Sequence, residues 1–380
     1  MQTKVFHVIV GLEVGGAELM LKRLVTSVVN QPQHTVVVSL TSLGQIGADL
    51  RASQITVHAL GMRSLRQAPL ALLQLTWLIR RYRPLIVQTW MYHSDLLGGL
   101  AARMAGCKNV IWGIRATDVS RGGSRATSWV RWLCARWSGW LPHTIVCAAD
   151  ASRLVHAALG YRADRLLVIP NGFDLQRLQA PAGAREALRI QSGLSKDCLV
   201  IGFLGRFHAV KDVQNFVNAA GRVARQHPHA RFLMVGAGID ACNRTLGGWL
   251  EKTGFADRFI LLGARSDVCV CLAAMDVFAL SSFSEGFPNV VGEAMAMRLP
   301  CVVTDVGDAS LLLGNCGVVV PPKDSVALAQ GMAYLLELPL AQRQALGGAA
   351  RARIAIEFSM TRCAQRFEAV YADVLENPRN

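Results

Sequence analysis

The sequence predicts an α/β protein made of two doubly wound, Rossmann-like domains. Short β-branched runs such as 5–10 and 35–40 alternate with helical patterns, as in parallel sheets that are buried on both faces. The alternation lapses into Pro, Ala, Gly and polar residues around 171–196 and then resumes. A length of 380 residues leaves room for two domains of ordinary size, so we place a hinge at 171–196.

Each predicted element follows from its local pattern. In the first half, β-branched runs predict strands at 5–10, 35–40, 55–60, 85–89, 110–114, 144–148 and 166–169. Apolar residues at helical spacing predict helices at 17–29, 68–82 and 95–105. In the second half, strands are predicted at 198–204, 231–235, 259–261, 277–280, 301–303 and 318–320, with helices between them and a final helical stretch at 341–376.

Composition excludes several classes of protein. With 52% hydrophobic residues the chain is globular, and no apolar run reaches the length of a membrane span. The segment 1–10 is typical of a first core strand and not of a signal peptide. Ten cysteines without zinc spacing indicate free thiols in a reducing compartment. We therefore expect a cytoplasmic protein without a metal or other cofactor.

Positive charge is concentrated in the first half of the chain. Residues 1–190 contain 22 Lys/Arg and 9 Asp/Glu, whereas residues 191–380 contain 18 and 17. This distribution predicts that the first domain faces an anionic partner such as a lipid diphosphate or an anionic membrane. Nucleic acid is the weakest alternative, because no nucleic-acid-binding motif accompanies the charge.

The most informative segment is 281–296, which reads SSFSEGFPNVVGEAMA. Glu285 lies in a Ser/Gly/Pro-rich loop, and Glu293 follows eight residues later in a predicted helix that begins at Pro288. A glycine loop before a helix N-terminus favours an anion, because free N–H groups and the helix dipole both attract negative charge. Carboxylates on each side can hold hydroxyl groups, so this chemistry suits a sugar joined to a phosphate.

Two further segments carry candidate ligand contacts. Gly15, Gly16 and Glu18 lie at the first strand-to-helix turn, where glycine lets a ligand approach the backbone. The spacing is not that of a dinucleotide fingerprint, which disfavours an oxidoreductase. Arg206 and Lys211 follow a predicted strand and can neutralise a departing diphosphate where the sequence has no D-x-D metal motif.

These segments resemble the motifs of family 4 glycosyltransferases, which are retaining enzymes of GT-B architecture. Segment 281–296 resembles the E-x7-E motif, Gly15–Glu18 the N-terminal glycine loop, Ile169–Asp174 the PNG-x-D segment between domains, and Gly205–Asp212 the donor-phosphate motif. The resemblance implies two Rossmann-like domains facing a central cleft. It assigns 1–175 to the acceptor, 176–360 to the nucleotide sugar, and 361–380 to a helix that crosses back to the first domain.

The resemblance also implies roles for individual residues. Glu285, His93, Arg206 and Lys211 are the expected catalytic residues, and Glu18, His93 and Arg115 the expected acceptor contacts. The expected donor contacts are Gly15, Gly16, Arg206, Lys211, Arg265, Glu285, Gly286, Phe287, Pro288, Asn289 and Glu293. For Glu293 an ordinary first-turn glutamate that stabilises its own helix is the alternative, and for Arg265 only a backbone contact to the base is expected.

His93 and Arg115 leave the acceptor side open. His93 follows a strand, as functional loop residues in such sheets do, although a lone histidine is more often structural. Family members often have a histidine where this chain has Arg115, so the departure puts an acceptor base in doubt. Arg115 can instead bind an acceptor phosphate.

Residues 125–141 combine tryptophan and arginine at helical spacing. Trp129, Trp132, Trp137 and Trp140 lie among Arg125, Arg131 and Arg136. This pattern is typical of a helix in a membrane interface and equally of a core helix with buried tryptophans.

The resemblance implies transfer of a sugar, with retention, from a nucleotide sugar such as a UDP-sugar to a saccharide or lipid-linked acceptor in polysaccharide, lipopolysaccharide or glycolipid biosynthesis. The alternatives are a nucleotide-sugar epimerase of similar fold and a non-catalytic partner subunit that binds a nucleotide sugar. The sequence leaves the sugar, base, acceptor, linkage and oligomeric state open.

Overall fold

The computed structural model describes residues 4–27, 34–117 and 124–377. The chain divides into two compact units, unit 1 (Met1–Gly172 with Met360–Asn380) and unit 2 (Phe173–Ser359). Asp118, which follows Arg115 and Thr117, and the end of the predicted helix 17–29 lie outside the described residues. Among the helices of the described ranges, none combines the length and the hydropathy that crossing a membrane requires.

Unit 1 is a parallel sheet with helices on both faces. Its strands are β1 (Val5–Ile9), β2 (Thr35–Ser39), β3 (Thr56–Ala59), β4 (Ile86–Trp90), β5 (Val110–Ile114), β6 (Thr144–Cys147) and β7 (Leu166–Val168). Its helices are α1 (Gly16–Val25), α2 (Gly44–Ala52), α3 (Ala68–Tyr82), α4 (Tyr92–Met104), α5 (Arg125–Trp137), α6 (Asp150–Ala158) and the last helix of the chain, α15 (Met360–Glu376).

The strand order of unit 1 is β3-β2-β1-β4-β5-β6-β7, and every pair is parallel. Alternate strand residues point to opposite faces, so one core packs against α3, α4 and α5 and the other against α1, α2 and α15. The chain reverses its direction of winding between β1 and β4. At such a switch point the loops diverge from the carboxyl ends of two adjacent strands and leave a crevice.

Unit 2 has the same architecture with six strands. They are β8 (Leu199–Leu204), β9 (Ala230–Val235), β10 (Phe259–Leu261), β11 (Val277–Leu280), β12 (Cys301–Thr304) and β13 (Gly317–Val320), in the order β10-β9-β8-β11-β12-β13. The helices are α7 (Ala184–Gln191), α8 (Val213–Gln226), α9 (Arg244–Thr253), α10 (Val268–Ala273), α11 (Asn289–Ala296), α12 (Ala309–Leu313), α13 (Ser325–Glu337) and α14 (Leu340–Glu357). Here the switch point lies between β8 and β11.

The structure adds two details to the helices expected from the sequence. The segment 171–196 contains the helix α7, and the helical stretch expected at 341–376 is broken into α14 and α15. The break falls at Phe358 because its carbonyl oxygen accepts a hydrogen bond of 2.8 Å from the backbone N–H of Phe173. Ser359 forms a β-bridge with the same residue, and backbone that is paired in this way cannot continue a helix.

Candidate functional site

The switch point of unit 2 brings together two loops that are far apart in sequence. The loop after β8 contains Arg206 and Lys211, and the loop after β11 contains Glu285. Because β8 and β11 are adjacent parallel strands, both loops begin at the same edge of the sheet. More than 70 intervening residues build the other strands and helices of this half, so the juxtaposition depends on strand order.

Lys211 and Glu285 form an ion pair at this edge. The distance from Lys211 Nζ to Glu285 Oε1 is 2.5 Å, and both side chains are mostly buried. The same carboxylate oxygen accepts a hydrogen bond of 2.6 Å from Ser282 Oγ. Two donors on Oε1 fix the orientation of the Glu285 carboxylate. Its other oxygen, Oε2, has no donor among the described residues.

The two loops are joined by backbone contacts. The backbone N–H of Phe283 donates to the carbonyl oxygen of Val210 (3.0 Å), and Ser281 Oγ donates to the carbonyl oxygen of Lys211 (2.8 Å). Lys211 closes a short 3₁₀ turn, Ala209–Lys211. These bonds hold the lysine and the carboxylate in register before any ligand arrives, which is the preorganisation that charge stabilisation requires.

A third loop, after β12, packs against the loop that carries the Glu285 carboxylate. Thr304 Oγ1 donates to the carbonyl oxygen of Ser282 (2.6 Å). Gly307 has a φ of +56°, and a Cβ at this position would lie 2.4 Å from the carbonyl oxygens of Glu285 and Gly286. Sequence reasoning missed Gly307. The signal for it was a glycine in the loop directly after a buried strand.

Helix α11, which follows the loop after β11, begins one residue later than expected. Pro288 is its N-cap and Asn289 its first residue. Glu293 therefore lies in the second turn, and the alternative that it is a first-turn glutamate is wrong. Gly292 packs so closely against Phe173 that a Cβ at position 292 would lie 2.0 Å from the ring.

An aromatic cluster fixes the position of α11 within unit 2. Phe173 stacks on Phe287 with ring centroids 6.1 Å apart, and Phe287 also contacts Phe358. The Phe287 side chain is buried. Its side chain therefore supports the loop, which leaves the backbone of Gly286 and Phe287 as the part that can face a ligand.

Arg206 differs from Lys211 in being exposed. Within the described residues it forms no hydrogen bond or ion pair, so it is a free cation at the carboxyl edge of β8. The loop after β9 crosses directly behind it. Gly236 has a φ of +151°, and a Cβ there would lie 2.0 Å from the carbonyl oxygen of Gly205. This close approach requires glycine.

The side chain of Arg265 is engaged within its own loop. Its guanidinium forms a two-point ion pair with Asp267, at 2.8 Å and 2.5 Å. Hydrogen bonding and charge from Asp267 raise the pKa of Arg265, and Arg265 lowers the pKa of Asp267. The expectation that only the backbone here serves a ligand stays a prediction, and the pairing is compatible with it.

In unit 1 the glycine loop is partly covered by its own glutamate. Gly15 is the N-cap of α1, and a Cβ at Gly15 would lie 2.3 Å from Glu18 Oε2. Burial raises the pKa of Glu18, and a hydrogen bond with its own backbone N–H acts in the opposite direction. The carboxylate lies at the positive end of the helix, so a phosphate at Gly15 or Gly16 would meet a like charge and a hydroxyl group would not.

His93 lies in the first turn of α4, at the carboxyl end of β4. It is half-buried, burial lowers its pKa, and it has no hydrogen-bond partner within the described parts of the chain. Asp95, two residues on, accepts hydrogen bonds from Thr89 Oγ1 (2.5 Å) and the Gly113 N–H (3.4 Å). It therefore ties β4 to β5 beneath His93.

Asp95 is a site residue that sequence reasoning missed. It is fully buried, and burial raises its pKa from 3.8 to about 7, against the opposing effect of its two hydrogen bonds. The available signal was an acidic residue in the first turn of a helix that follows a buried strand. Asp95 does not reach the surface, so it positions the loops that carry His93 and Arg115.

Arg115 follows β5 and is enclosed by unit 1. Its Nη1 donates to Asn171 Oδ1 at 2.9 Å, and its guanidinium lies 4.8 Å from the ring centroid of Trp90 and 5.6 Å from that of Phe367. Burial lowers its pKa to about 10. Its Nε and Nη2 are buried without a hydrogen-bond partner in the described structure. Two N–H groups of this guanidinium are thus left without an acceptor in the part of the chain that the structure describes.

The helix rich in tryptophan and arginine is not a core helix with buried tryptophans. Trp129, Trp132 and Trp140 are exposed, and only Trp137 packs against the core beside Val130. The interpretation of 125–141 as a core helix with buried tryptophans is therefore wrong for three of its four tryptophans.

Comparison with known proteins identifies the family. A model of "Glycosyltransferase Family 4" matches residues 14–177, and a model of "Glycosyl transferases group 1" matches residues 198–338. The chain belongs to the family 4, group 1 glycosyltransferases. The resemblance stated from the sequence motifs is confirmed.

Two curated relatives show the range of chemistry in the family. The UDP-Gal:α-D-GlcNAc-diphosphoundecaprenol α-1,3-galactosyltransferase of Escherichia coli is 28% identical over 249 residues, which are 64% of each chain. The N-acetyl-α-D-glucosaminyl L-malate synthase of Bacillus anthracis is 29% identical over 195 residues, 51% of this chain and 50% of the relative. The chain thus aligns with less than two thirds of the length of either relative.

Solved structures agree on the fold. Anabaena HepE in complex with UDP and glucose superposes with a TM-score of 0.86 at 20% identity, covering 98% of this chain and 100% of that one. A glycosyltransferase from Rickettsia africae gives a TM-score of 0.80 at 17% identity, covering 99% and 100%. The α/β GT-B fold predicted from the sequence is confirmed, with parallel sheets of seven and six strands.

Proposed function

We propose that this glycosyltransferase moves a sugar, with retention of configuration, from a nucleotide diphosphate sugar to a saccharide or lipid-linked acceptor. The observation that carries the proposal is the switch point of unit 2. There the preorganised pair of Lys211 and Glu285 lies at the same sheet edge as the free cation Arg206 and the loop that leads into α11. A UDP-sugar is the proposed donor, since HepE was crystallised with UDP.

In this proposal the donor diphosphate lies between Arg206, Lys211 and the amide groups at the start of α11. As the bond between the sugar C1 and the phosphate oxygen breaks, negative charge grows on the diphosphate. The two cations and the helix N-terminus stabilise that charge. We propose that no metal ion is needed, because side chains and backbone supply this stabilisation.

Glu285 and Glu293 would hold the two ends of the donor. Oε2 of Glu285, which has no donor among the described residues, can accept from a sugar hydroxyl while Ser282 and Lys211 keep Oε1 in place. Glu293 would accept from the ribose hydroxyls, and the backbone of Gly286 to Asn289 would contact sugar or phosphate. The acceptor oxygen attacks C1 from the side that the leaving group vacates, and its proton passes to the departing diphosphate.

Unit 1 would bind the acceptor. His93 and Arg115 follow the adjacent strands β4 and β5, and Glu18 follows β1, beside the switch point of this sheet. Arg115 has two guanidinium donors without an acceptor among the described residues, and they suit a phosphate on the acceptor substrate. A lipid diphosphate is supported by the name of the Escherichia coli relative, which acts on a diphosphoundecaprenol-linked sugar.

Cell-surface polysaccharide or glycolipid biosynthesis is the proposed setting, in the cytoplasm at the inner face of the membrane. Cysteines 134, 147, 198, 271, 301 and 363 are buried free thiols, as a reducing compartment favours. We also propose that residues 125–141 contact an anionic membrane surface, because three tryptophans there are exposed between arginines.

The deciding experiment is donor turnover, followed by mass spectrometry, with a panel of nucleotide sugars in the presence and absence of a lipid-extract acceptor and with and without a chelator. We expect release of nucleoside diphosphate that rises with the extract, together with a new glycosylated product and no effect of the chelator. Glu285→Gln should abolish this release, whereas the matched control Glu251→Gln, at an exposed glutamate of α9, should not change it.

Other outcomes would overturn the proposal. Conversion of the donor to an epimer without acceptor would identify an epimerase. Donor binding without turnover, for all donors and with defined lipid-diphosphate acceptors, would identify a non-catalytic subunit. Full activity of Glu285→Gln would remove the assigned site.

A further inference from the structure

Helix α3 has an apolar stripe on the side that faces solvent. Leu73 and Trp77 are 60% and 57% exposed, and Leu70 is exposed to a similar degree. The helix buries Leu75, Leu78 and Ile79 against the sheet. The spacing of 70, 73 and 77 follows the helical repeat, so the stripe is a second apolar surface that the core does not use.

Helix α5 has a corresponding stripe. Trp129 and Trp132 are 60% and 59% exposed, while Val130 and Cys134 of the same helix are buried. Arg125 and Arg136 are exposed at the two ends of this stripe. Tryptophan in this setting places a ring with an apolar body and a polar N–H at the surface.

The two stripes belong to one layer of helices. α3, α4 and α5 all pack on the same core of unit 1, on one face of its sheet, and α4 contacts both of the others. At one end of the layer Arg103 of α4 donates to the carbonyl oxygen of Trp140 (2.6 Å), and Arg80 of α3 donates to that of Met104 (2.8 Å). We call the outer surface of α3, α4 and α5, with Trp140, the α3/α5 face.

The charges of the α3/α5 face have one sign. Asp95 is the one carboxylate in residues 50–117, residues 124–141 contain none, and Asp95 is buried. A groove of about 680 Å³ at the end of α3 is lined by Arg80, Arg83 and Lys108. The face therefore offers exposed apolar side chains, cations, and a groove with three cations that is large enough for a phosphate headgroup.

We propose that the α3/α5 face docks on a bilayer of anionic phospholipid, with the stripes of α3 and α5 inserted side by side and the groove at Arg80, Arg83 and Lys108 holding a lipid phosphate. The proposal extends the membrane contact from 125–141 to α3. It rests on the proposed function only in that a lipid-linked acceptor would be reached from this surface.

Charge complementarity selects this occupant. A bilayer with anionic headgroups meets cations and apolar side chains at once, which amphipathic membrane helices require. Nucleic acid would pair with the arginines but leave Leu70 and Leu73 in water, since these residues have neither a donor nor an aromatic face. A second copy of the same face would bring like charges together.

The test is sedimentation of the full-length protein with vesicles of phosphatidylglycerol and phosphatidylcholine in equal parts, and with vesicles of phosphatidylcholine alone. The α3 variant is the double substitution Leu73→Ser and Trp77→Ala, and the α5 variant is Trp132→Ala. The matched control is Tyr334→Ala, which removes an exposed aromatic residue of α13 in unit 2. A further variant, Arg80→Glu with Arg83→Glu, tests the groove.

Wild-type protein should bind the anionic vesicles in a salt-sensitive manner and bind phosphatidylcholine weakly. The α3 variant should bind roughly tenfold or more weakly, since burial of one large apolar side chain already accounts for about that factor. The arginine variant should lose roughly fivefold or more for each cation, and the control should match wild type.

Binding of the α3 variant that equals wild type, while Trp132→Ala binds weakly, would overturn the assignment of α3. The membrane proposal would be overturned if wild type bound neither vesicle, or if the α3 variant changed the oligomeric state. Tight binding of an RNA homopolymer that vesicles do not displace would also overturn it. Turnover of donor with detergent-dispersed acceptor is measured in parallel. Normal turnover in the α3 variant separates a failed docking surface from a failed glycosyltransferase.

Discussion

Gly292→Ala tests whether the aromatic cluster of unit 2 holds the helix that carries Glu293. In α11 a Cβ at position 292 would lie 2.0 Å from Phe173 Cζ and 2.5 Å from Cε2. Phe173 is buried and stacked on Phe287, so its ring cannot swing away without disturbing the loop below Glu285. We expect the clash to lower the free energy of unfolding of unit 2 by about 1–3 kcal/mol.

A second glycine in a helix of the same unit supplies the control. At Gly348 of α14 an added Cβ meets nothing within 4 Å. Gly348→Ala should therefore stabilise unit 2 by about 0.8–1 kcal/mol, the helix-propensity gain of alanine. Gly292→Ala has the same gain opposed by the clash, so the difference between the two variants isolates the clash.

Urea unfolding followed by ¹⁹F NMR of 5-fluorotryptophan measures this difference. Trp249 is the one tryptophan in Phe173–Ser359, so its resonance reports on unit 2, where both substitutions lie. The same samples give the donor affinity, which should fall for Gly292→Ala because the helix carrying Glu293 is displaced. Equal stability of the two variants would refute the packing of α11 on Phe173.

Three further predictions concern charged groups. Arg206→Ala should lower kcat/KM for the donor by about 100- to 1,000-fold and leave the free energy of unfolding within about 0.5 kcal/mol of wild type. The control Arg222→Ala, at an exposed arginine of α8, should change neither quantity. Equal kinetics in the two variants would refute the role of Arg206. Arg115→Met should raise KM for a phosphate-bearing acceptor by about 10- to 100-fold with donor hydrolysis unchanged, and an unchanged acceptor KM would contradict it. Because burial raises the pKa of Asp95 to about 7, its contribution to stability is present below its unfolded pKa near 4 and is lost as pH rises towards 7. The stability of wild type relative to Asp95→Asn should therefore fall across this window by up to roughly 4 kcal/mol, and parallel pH curves in urea unfolding would contradict the burial of a protonated carboxyl.

Much of the candidate site could be predicted from local sequence. The chemistry of Glu285, Arg206 and Lys211 follows from their residue types and from the strand or helix beside them. The order of the motifs indicated the family, which the comparisons show. Contacts between distant segments could not be predicted: the hydrogen bond from Phe173 to Phe358 at the end of α14 and the Gly307 support of Glu285.

The sequence by itself determined two parallel α/β sheets, the residues that can carry charge at their edges, and the family. These are local properties, set by side-chain periodicity and by glycine, proline and charged residues within a few positions. Tertiary structure alone decided that β8 lies beside β11, which joins Lys211 to Glu285, and that Trp129 and Trp132 face outward. Strand order and the choice of buried helix face depend on how distant segments share one core, and a local pattern contains no information about that partner.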